Sequence, residues 1–361
     1  MGINTFVIYL MVFFLCLGAL DKCLGNRWGF GQRFTDGFMA MGPLTLAMVG
    51  IVSIAPVLAD VLIPIIAPLY EFIGADPASF ANTLLAVDMG GYALAQEMAI
   101  DPDAALFSWV FLGTMMGPTI VFTIPVALGI IDKQDQPYFA NGILLGIITV
   151  PLGCLVGGMF AGFNLKMIVI NLIPMMIASV LIGVGILKFQ NLMIIGFQLF
   201  GKVVEIIAVI GLTAIIVETL TGFTIIKNMA PIEEGIQIVG MIAIMLAGAF
   251  PMVSFISFAF KKHLTKFGSI LNINNTSTAG LIASLAHVIP MFSMFRDMEP
   301  KGKVINTAFA VSGAFVFGGH LGFVAGMNKE MAFAMIIGKL ISGITAVLLA
   351  VVTLNRKDIT K

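Results

Sequence analysis

The sequence predicts an all-α, polytopic integral membrane protein, and three observations carry that prediction. Only 11% of the 361 residues are charged while 59% are apolar, and the mean hydropathy is +1.07; a soluble domain carries about 25% charged residues. Five long runs contain no Asp, Glu, Lys or Arg: 104–131, 137–165, 167–187, 235–260 and 304–328. These runs are continuous rather than alternating. They suit spanning helices of about 20 residues, not the short alternating strands of a barrel.

Taken in order, the first apolar run, 5–20, reads as a retained span. The start, Met1-Gly2-Ile3-Asn4-Thr5-Phe6, lacks the basic region of a cleaved leader, and Phe6 stands where a myristoylation signal needs Ser or Thr. A second span is expected over 38–58. The stretch 59–73 carries Pro64 and Pro68 and reads as an interfacial or re-entrant piece, as does 189–201. Shorter or interrupted spans at 76–100, 203–220, 277–295 and 331–354 bring the total to about eleven, some of them discontinuous. With the N-terminus outside, eleven spans place Lys22, Arg27, Arg33, Lys166, Lys227, Arg296, Lys301, Lys303, Arg356, Lys357 and Lys361 on the cytoplasmic side. The outer side then holds Lys133, Lys188, Lys202, Lys261, Lys262, Lys266 and Lys329, so the bias follows the positive-inside rule modestly.

The chain also repeats itself weakly at an offset of about 200. Leu85, Ala86, Met98 and Gly113 meet Leu285, Ala286, Met298 and Gly313, and Glu97 meets Asp297. Gly37, Gly42 and Gly50 meet Gly235, Gly240 and Gly248. The expected organisation is therefore a first membrane half, 1–200, with about six helices, and a second, 201–361, with about five. Internal duplication is common among secondary transporters, whose sites lie between the repeats.

Composition excludes several functions. Basic and acidic residues number 19 each, so nothing favours nucleic acid. Three cysteines, Cys16, Cys23 and Cys154, are too few for a disulfide framework or a clustered metal site; Cys16 and Cys154 are expected to pack as small hydrophobes. No His pair has metal-ligand spacing, and no cofactor is expected. Gly29-Phe30-Gly31 lacks the strand that a dinucleotide fingerprint needs. With no Ser-His-Asp set and no phosphate loop, a membrane-embedded enzyme is disfavoured.

Two interrupted spans carry the candidate chemistry. The first reads Asn82-Thr83-Leu84-Leu85-Ala86-Val87-Asp88-Met89-Gly90-Gly91-Tyr92, the second Thr278 to Met291 with His287 and Pro290 inside it. Paired Gly- or Pro-broken segments in two halves point to a transporter site, because unwound backbone can line a cavity. Asp88 is the sharpest residue: a carboxylate at mid-membrane costs about 3 kcal/mol and is kept for pairing or function. Gly90 and Gly91 allow close backbone approach. Tyr92 offers a ring face to a cation. His287 and His320 are candidate relays or Asp partners, against the alternative of hydrogen-bonded packing. Asn82 and Asn275 are candidate polar contacts, or bridges between helices. Pro118, Pro125 and Pro290 are expected to keep the spans bent around the cavity.

At these residues the chain resembles the ethanolamine-utilisation membrane permeases, the EutH type. The resemblance runs through Leu85-Ala86-Val87-Asp88-Met89-Gly90-Gly91, the long stretch Gly113-Thr114-Met115-Met116-Gly117-Pro118 to Gly129, and Leu271-Asn272-Ile273-Asn274-Asn275. It continues in Gly302-Lys303-Val304-Ile305-Asn306, His320-Leu321-Gly322-Phe323 and Gly338-Lys339-Leu340-Ile341. The family's Asn-Asn-Ile-Pro-Met is replaced here by His287-Val288-Ile289-Pro290-Met291, and its acid before the second His by Gly319. The resemblance implies a cell-membrane (inner-membrane) permease importing ethanolamine for a cytoplasmic ammonia-lyase pathway housed in a microcompartment. The implied partners are ethanolamine and the lipid bilayer, with a coupling proton or sodium ion and a homo-oligomer as open additions. The rival readings are an ion-coupled carrier of another small amine or amino acid, and a docking partner for the microcompartment.

Overall fold

The computed structural model describes residues 2–259 and 268–359, and every regular element among them is a helix. Among the described residues, eight helical segments are long and apolar enough to cross a membrane: α1 (Ile3–Cys23), α2 and α3 together (Phe30–Met39 and Met41–Ile73), α6 (Pro102–Ile130), α7 (Gln136–Phe160), α8 (Leu165–Lys188), α9 (Gln190–Thr221), α10 (Ile232–Ala259) and α15 (Ala332–Ile359). The protein is a multi-pass membrane protein.

Eight is three fewer than the eleven expected from the sequence. The other apolar stretches fold as pairs of short helices, each half too short to cross alone: α4 (Ala78–Leu84) with α5 (Gly91–Met98), α11 (Asn275–Ser284) with α12 (Val288–Ser293), and α13 (Pro300–Ser312) with α14 (Gly319–Met327). The run 304–328, read as one continuous span, is thus divided at 313–318, where Gly313 and Gly318 bracket a non-helical turn.

Two further expectations are corrected. The stretch 59–73 is no separate piece but the end of α3, which continues through Pro56, Pro64 and Pro68 for 33 residues. Likewise 189–201 belongs almost wholly to α9, which runs unbroken across position 200. Each of these helices is about 50 Å long at 1.5 Å per residue, more than the hydrocarbon thickness. Cys154 is buried as expected, whereas Cys16 faces outward. The lysines at 261, 262 and 266, on which the topology count turned, lie outside the described residues.

Helix ends are set by local chemistry. Asn164 caps α8 by accepting from the Lys166 and Met167 amides. Asn274 caps α11 through the Ser277 amide at 2.8 Å, and Asp101 caps α6 with Pro102 at its first position. Such caps satisfy amides that no intrahelical carbonyl reaches. Asp76, buried ahead of α4, accepts from the amides of Ala78, Ile100 and Asp101 at 2.8–3.0 Å. One carboxylate therefore ties the start of the broken α4–α5 pair to its end.

At the centre, α7 packs along both α13 and α15. The Thr149 and Ser342 hydroxyls share a hydrogen bond of 3.2 Å across the α7–α15 seam. Near the start of α7, Lys303 Nζ meets Asp135 Oδ1 at 2.6 Å, with the side chains 9% and 4% exposed. Removing one partner of a buried pair leaves an uncompensated charge and costs about 3–5 kcal/mol, whereas an apolar replacement of both is far less harmful. Asp135→Asn should therefore lower the thermal unfolding midpoint of the detergent-solubilised protein sharply, and the double variant Asp135→Leu/Lys303→Met should recover most of that loss.

Candidate functional site

Three broken helices and one irregular one meet around a cavity of about 350 Å³, within the range of small-ligand sites. The break after α4 contributes Ala86, Asp88 and Met89. The break after α11 contributes His287, the turn between α13 and α14 contributes Phe315, and the start of α14 contributes Gly319 and His320. Pro118 and Phe122 come from α6, Leu246 and Phe250 from α10, and the rest from the α2–α3 junction. The wall is thus apolar and aromatic with three titratable side chains, Asp88, His287 and His320.

The breaks hold their shape through backbone contacts. At the first, the Ala86 carbonyl accepts from the Met89 and Gly91 amides at 3.0 Å, and Gly90 adopts φ +95°, the left-handed region that favours glycine. At the second, the Phe315 amide donates to the Ser284 carbonyl at 2.9 Å and the Phe317 amide to the Leu285 carbonyl at 3.0 Å. These bonds stitch the α11–α12 break to the α13–α14 turn. Phe315 itself sits at φ +60°. That is an uncommon setting for a bulky residue, costing about 1–3 kcal/mol, and such strain gathers at functional sites.

The two breaks are also seated in the same way. A Cβ on Gly117 would collide with the Leu85 carbonyl oxygen, and one on Gly318 would collide with that of Ala286. Leu85 and Ala286 are as far apart in sequence as Gly117 and Gly318, so one glycine–carbonyl contact is made twice.

α6 is irregular for a related reason. It contains two π segments, Ser108–Leu112 and Thr119–Thr123, on either side of Pro118. Pro118 has no N–H for the carbonyl four residues back, that of Thr114. Lys339 Nζ donates to that carbonyl instead. Lys339 is 1% exposed and has no carboxylate within ion-pair distance among the described residues. Pro125 opens the last α-helical stretch of α6, and Pro290 lies in the first turn of α12, where proline is tolerated.

His287 caps α12, its Nδ1 accepting from the Ile289 amide at 3.2 Å. Its ring stands edge-on to Phe315 at 4.9 Å, and Phe315 lies 4.8 Å from the His320 ring. His320 is 3% exposed, and its Nδ1 has no hydrogen-bond partner among the described residues. An unpaired buried nitrogen of this kind calls for a ligand or water. Asp88 is half-buried, open to the cavity, ahead of the α5 N-terminus, a position that favours a carboxylate.

The remaining sequence candidates are placed around this cavity rather than in it. Asn82 is fully buried behind the break; its amide donates to Ser108 Oγ at 3.0 Å, and its Oδ1 has no partner among the described residues. Gly91 packs on that same Oδ1 and on the Leu85 and Ala86 carbonyls. Tyr92 points away into a second cavity. Asn275 is exposed in the first turn of α11 and does not line the Asp88 cavity.

A family model described as ethanolamine utilisation protein, EutH, matches residues 3–353. The chain belongs to the EutH family. A Listeria monocytogenes relative, named a probable ethanolamine permease EutH, is 57% identical over 99% of this chain and 95% of its own. Its Escherichia coli namesake is 44% identical over 100% and 98%, and the uncharacterised protein YxeR of Bacillus subtilis is 63% identical over 96% and 94%. No solved structure matches the chain.

Sequence reasoning passed over Phe315, which lines this cavity, and Lys339, which holds α6 beside it. Lys339 had a signal: it interrupts the otherwise uncharged run 331–354, and an ionisable group inside a span is a functional candidate by default. Phe315 had only the flanking glycines. Because an added methyl at Gly117 must push the Leu85 carbonyl, overpacking there costs about 1–3 kcal/mol. Gly117→Ala should lower the unfolding midpoint and distort the cavity, while Gly129→Ala, where a Cβ meets nothing within 4 Å, should leave both unchanged.

Proposed function

We propose that the chain is a permease that imports ethanolamine as its ammonium ion, bound in the Asp88 cavity. The observation that carries this reading is the meeting of one carboxylate and one unpartnered imidazole in a cavity of otherwise apolar and aromatic walls. Ethanolamine offers a cation at one end and a hydroxyl at the other. Asp88 takes the ammonium, and Phe122, Phe250 and Phe315 present ring faces to it. The His320 imidazole takes the hydroxyl. The names of the relatives support the substrate.

Among the described residues lining the cavity, none is a Lys or Arg that would take a carboxylate. This favours a simple amine over an amino acid, the rival solute class. In this reading the halves 1–200 and 201–361 each supply broken helices, and the cavity lies between them.

Asp88→Asn should weaken ethanolamine binding by about 30-fold or more, equivalent to about 2 kcal/mol from a buried charged contact. Isothermal titration and vesicle uptake both measure it; uptake at the wild-type rate removes Asp88 from the site. Coupling to protons through His320 is the companion reading. His320→Gln should abolish accumulation against a gradient in liposomes while leaving downhill flux, and accumulation that survives the substitution removes His320 from the coupling.

A further inference from the structure

A second cavity, of about 480 Å³, lies beside the first, and the same elements wall both. On α3, Ala47 lines the Asp88 cavity, while Val52 and Ala55 line the second. The chain after α4 gives Asp88 and Met89 to the first and Tyr92, Gln96 and Glu97 to the second. α14 gives His320 to the first and Gly326 to the second; α10 gives Leu246 to the first and Met241 to the second. On α3, α10 and α14 the steps are five or six residues, about 8–9 Å. Four elements with one consistent order stack the two cavities along a common axis.

On two of these shared elements an aromatic residue lies in sequence between the two linings: Tyr92 follows Met89, and Phe323 stands between His320 and Gly326. Tyr92 contacts Trp109 at 5.3 Å and Phe323 at 5.5 Å, and Trp109 lies 6.0 Å from Phe323, all edge-on. Trp109 and Phe323 are buried at 3% and 0% exposure. Tyr92 is only partly buried, so its ring is the face of this cluster that the second cavity touches. The far wall of that cavity carries two exposed carboxylates, Glu97 and Glu234, from opposite elements.

Resting on the reading of the Asp88 cavity as the amine site, we propose that Tyr92, closed against Trp109 and Phe323, is the gate through which the ammonium passes between the second cavity and Asp88. The second cavity is its antechamber. Edge-on rings suit a gate, since a ring can rotate aside and its face attracts the passing cation. Tyr92 thus sets the size of amine admitted, while Asp88 sets its charge.

The test uses the full chain in liposomes with two solutes, ethanolammonium and the bulkier tetramethylammonium. The wild type should exclude tetramethylammonium, whereas Tyr92→Ala should admit it and should speed ethanolammonium equilibration. Tyr92→Phe, keeping the ring, should match the wild type, and Tyr92→Trp should slow ethanolammonium. The gate is overturned if Tyr92→Ala still excludes tetramethylammonium while binding ethanolamine normally. A different result, wild-type protein that neither binds nor moves ethanolamine, overturns the amine-site reading itself, so the two failures are distinguishable.

Discussion

Lipid offers no partner to a loose amide or carbonyl, and the whole site depends on that constraint. A helix inside a bilayer can be broken only where its freed groups find partners within the protein. Here they do. The Ala86 carbonyl takes the turn amides of its own break, and the Ser284 and Leu285 carbonyls take amides from the α13–α14 turn. Lys339 takes the Thr114 carbonyl that proline releases. Because each interruption is answered within its own turn or by a neighbouring element, the interruptions gather at one place, and the space they leave is the cavity.

The same economy governs charge. Asp135 and Lys303 neutralise each other at 2.6 Å, and Asp21 accepts from the Trp28 and Gly31 amides at 3.0 and 2.8 Å. Both are structural arrangements with a partner at short range. Asp88 and Lys339 are different. They make no ion pair, and Asp88 opens onto a cavity. An acid left partly unanswered among apolar walls is suited to a transient cation, whereas a fully paired one is committed to the fold.

Much of this was legible in the sequence, because composition and uncharged runs are set by the solvent and need no tertiary information. The broken segments at 82–92 and 278–291 were readable from glycine, proline and isolated polar residues. Their assembly was not. Nothing local says that His320, more than 230 positions from Asp88, lines the same cavity, or that Tyr92 turns away from it after one helical turn. The break at 313–318 lay hidden in an apolar run, since Phe315 looks like any buried phenylalanine until its backbone is seen. The proline-bearing segment 59–73 misled in the opposite direction, because a long helix packed against neighbours tolerates prolines that a short one would not.

The link between Lys339 and the Thr114 carbonyl has a mechanical consequence. It fastens the last long helix to the middle of α6 at the point where α6 is least regular. Sliding one past the other would strand an ammonium and a carbonyl together in hydrocarbon. A shape change that kept this bond would carry α6 and α15 together and leave the displacement to other helices around the cavity.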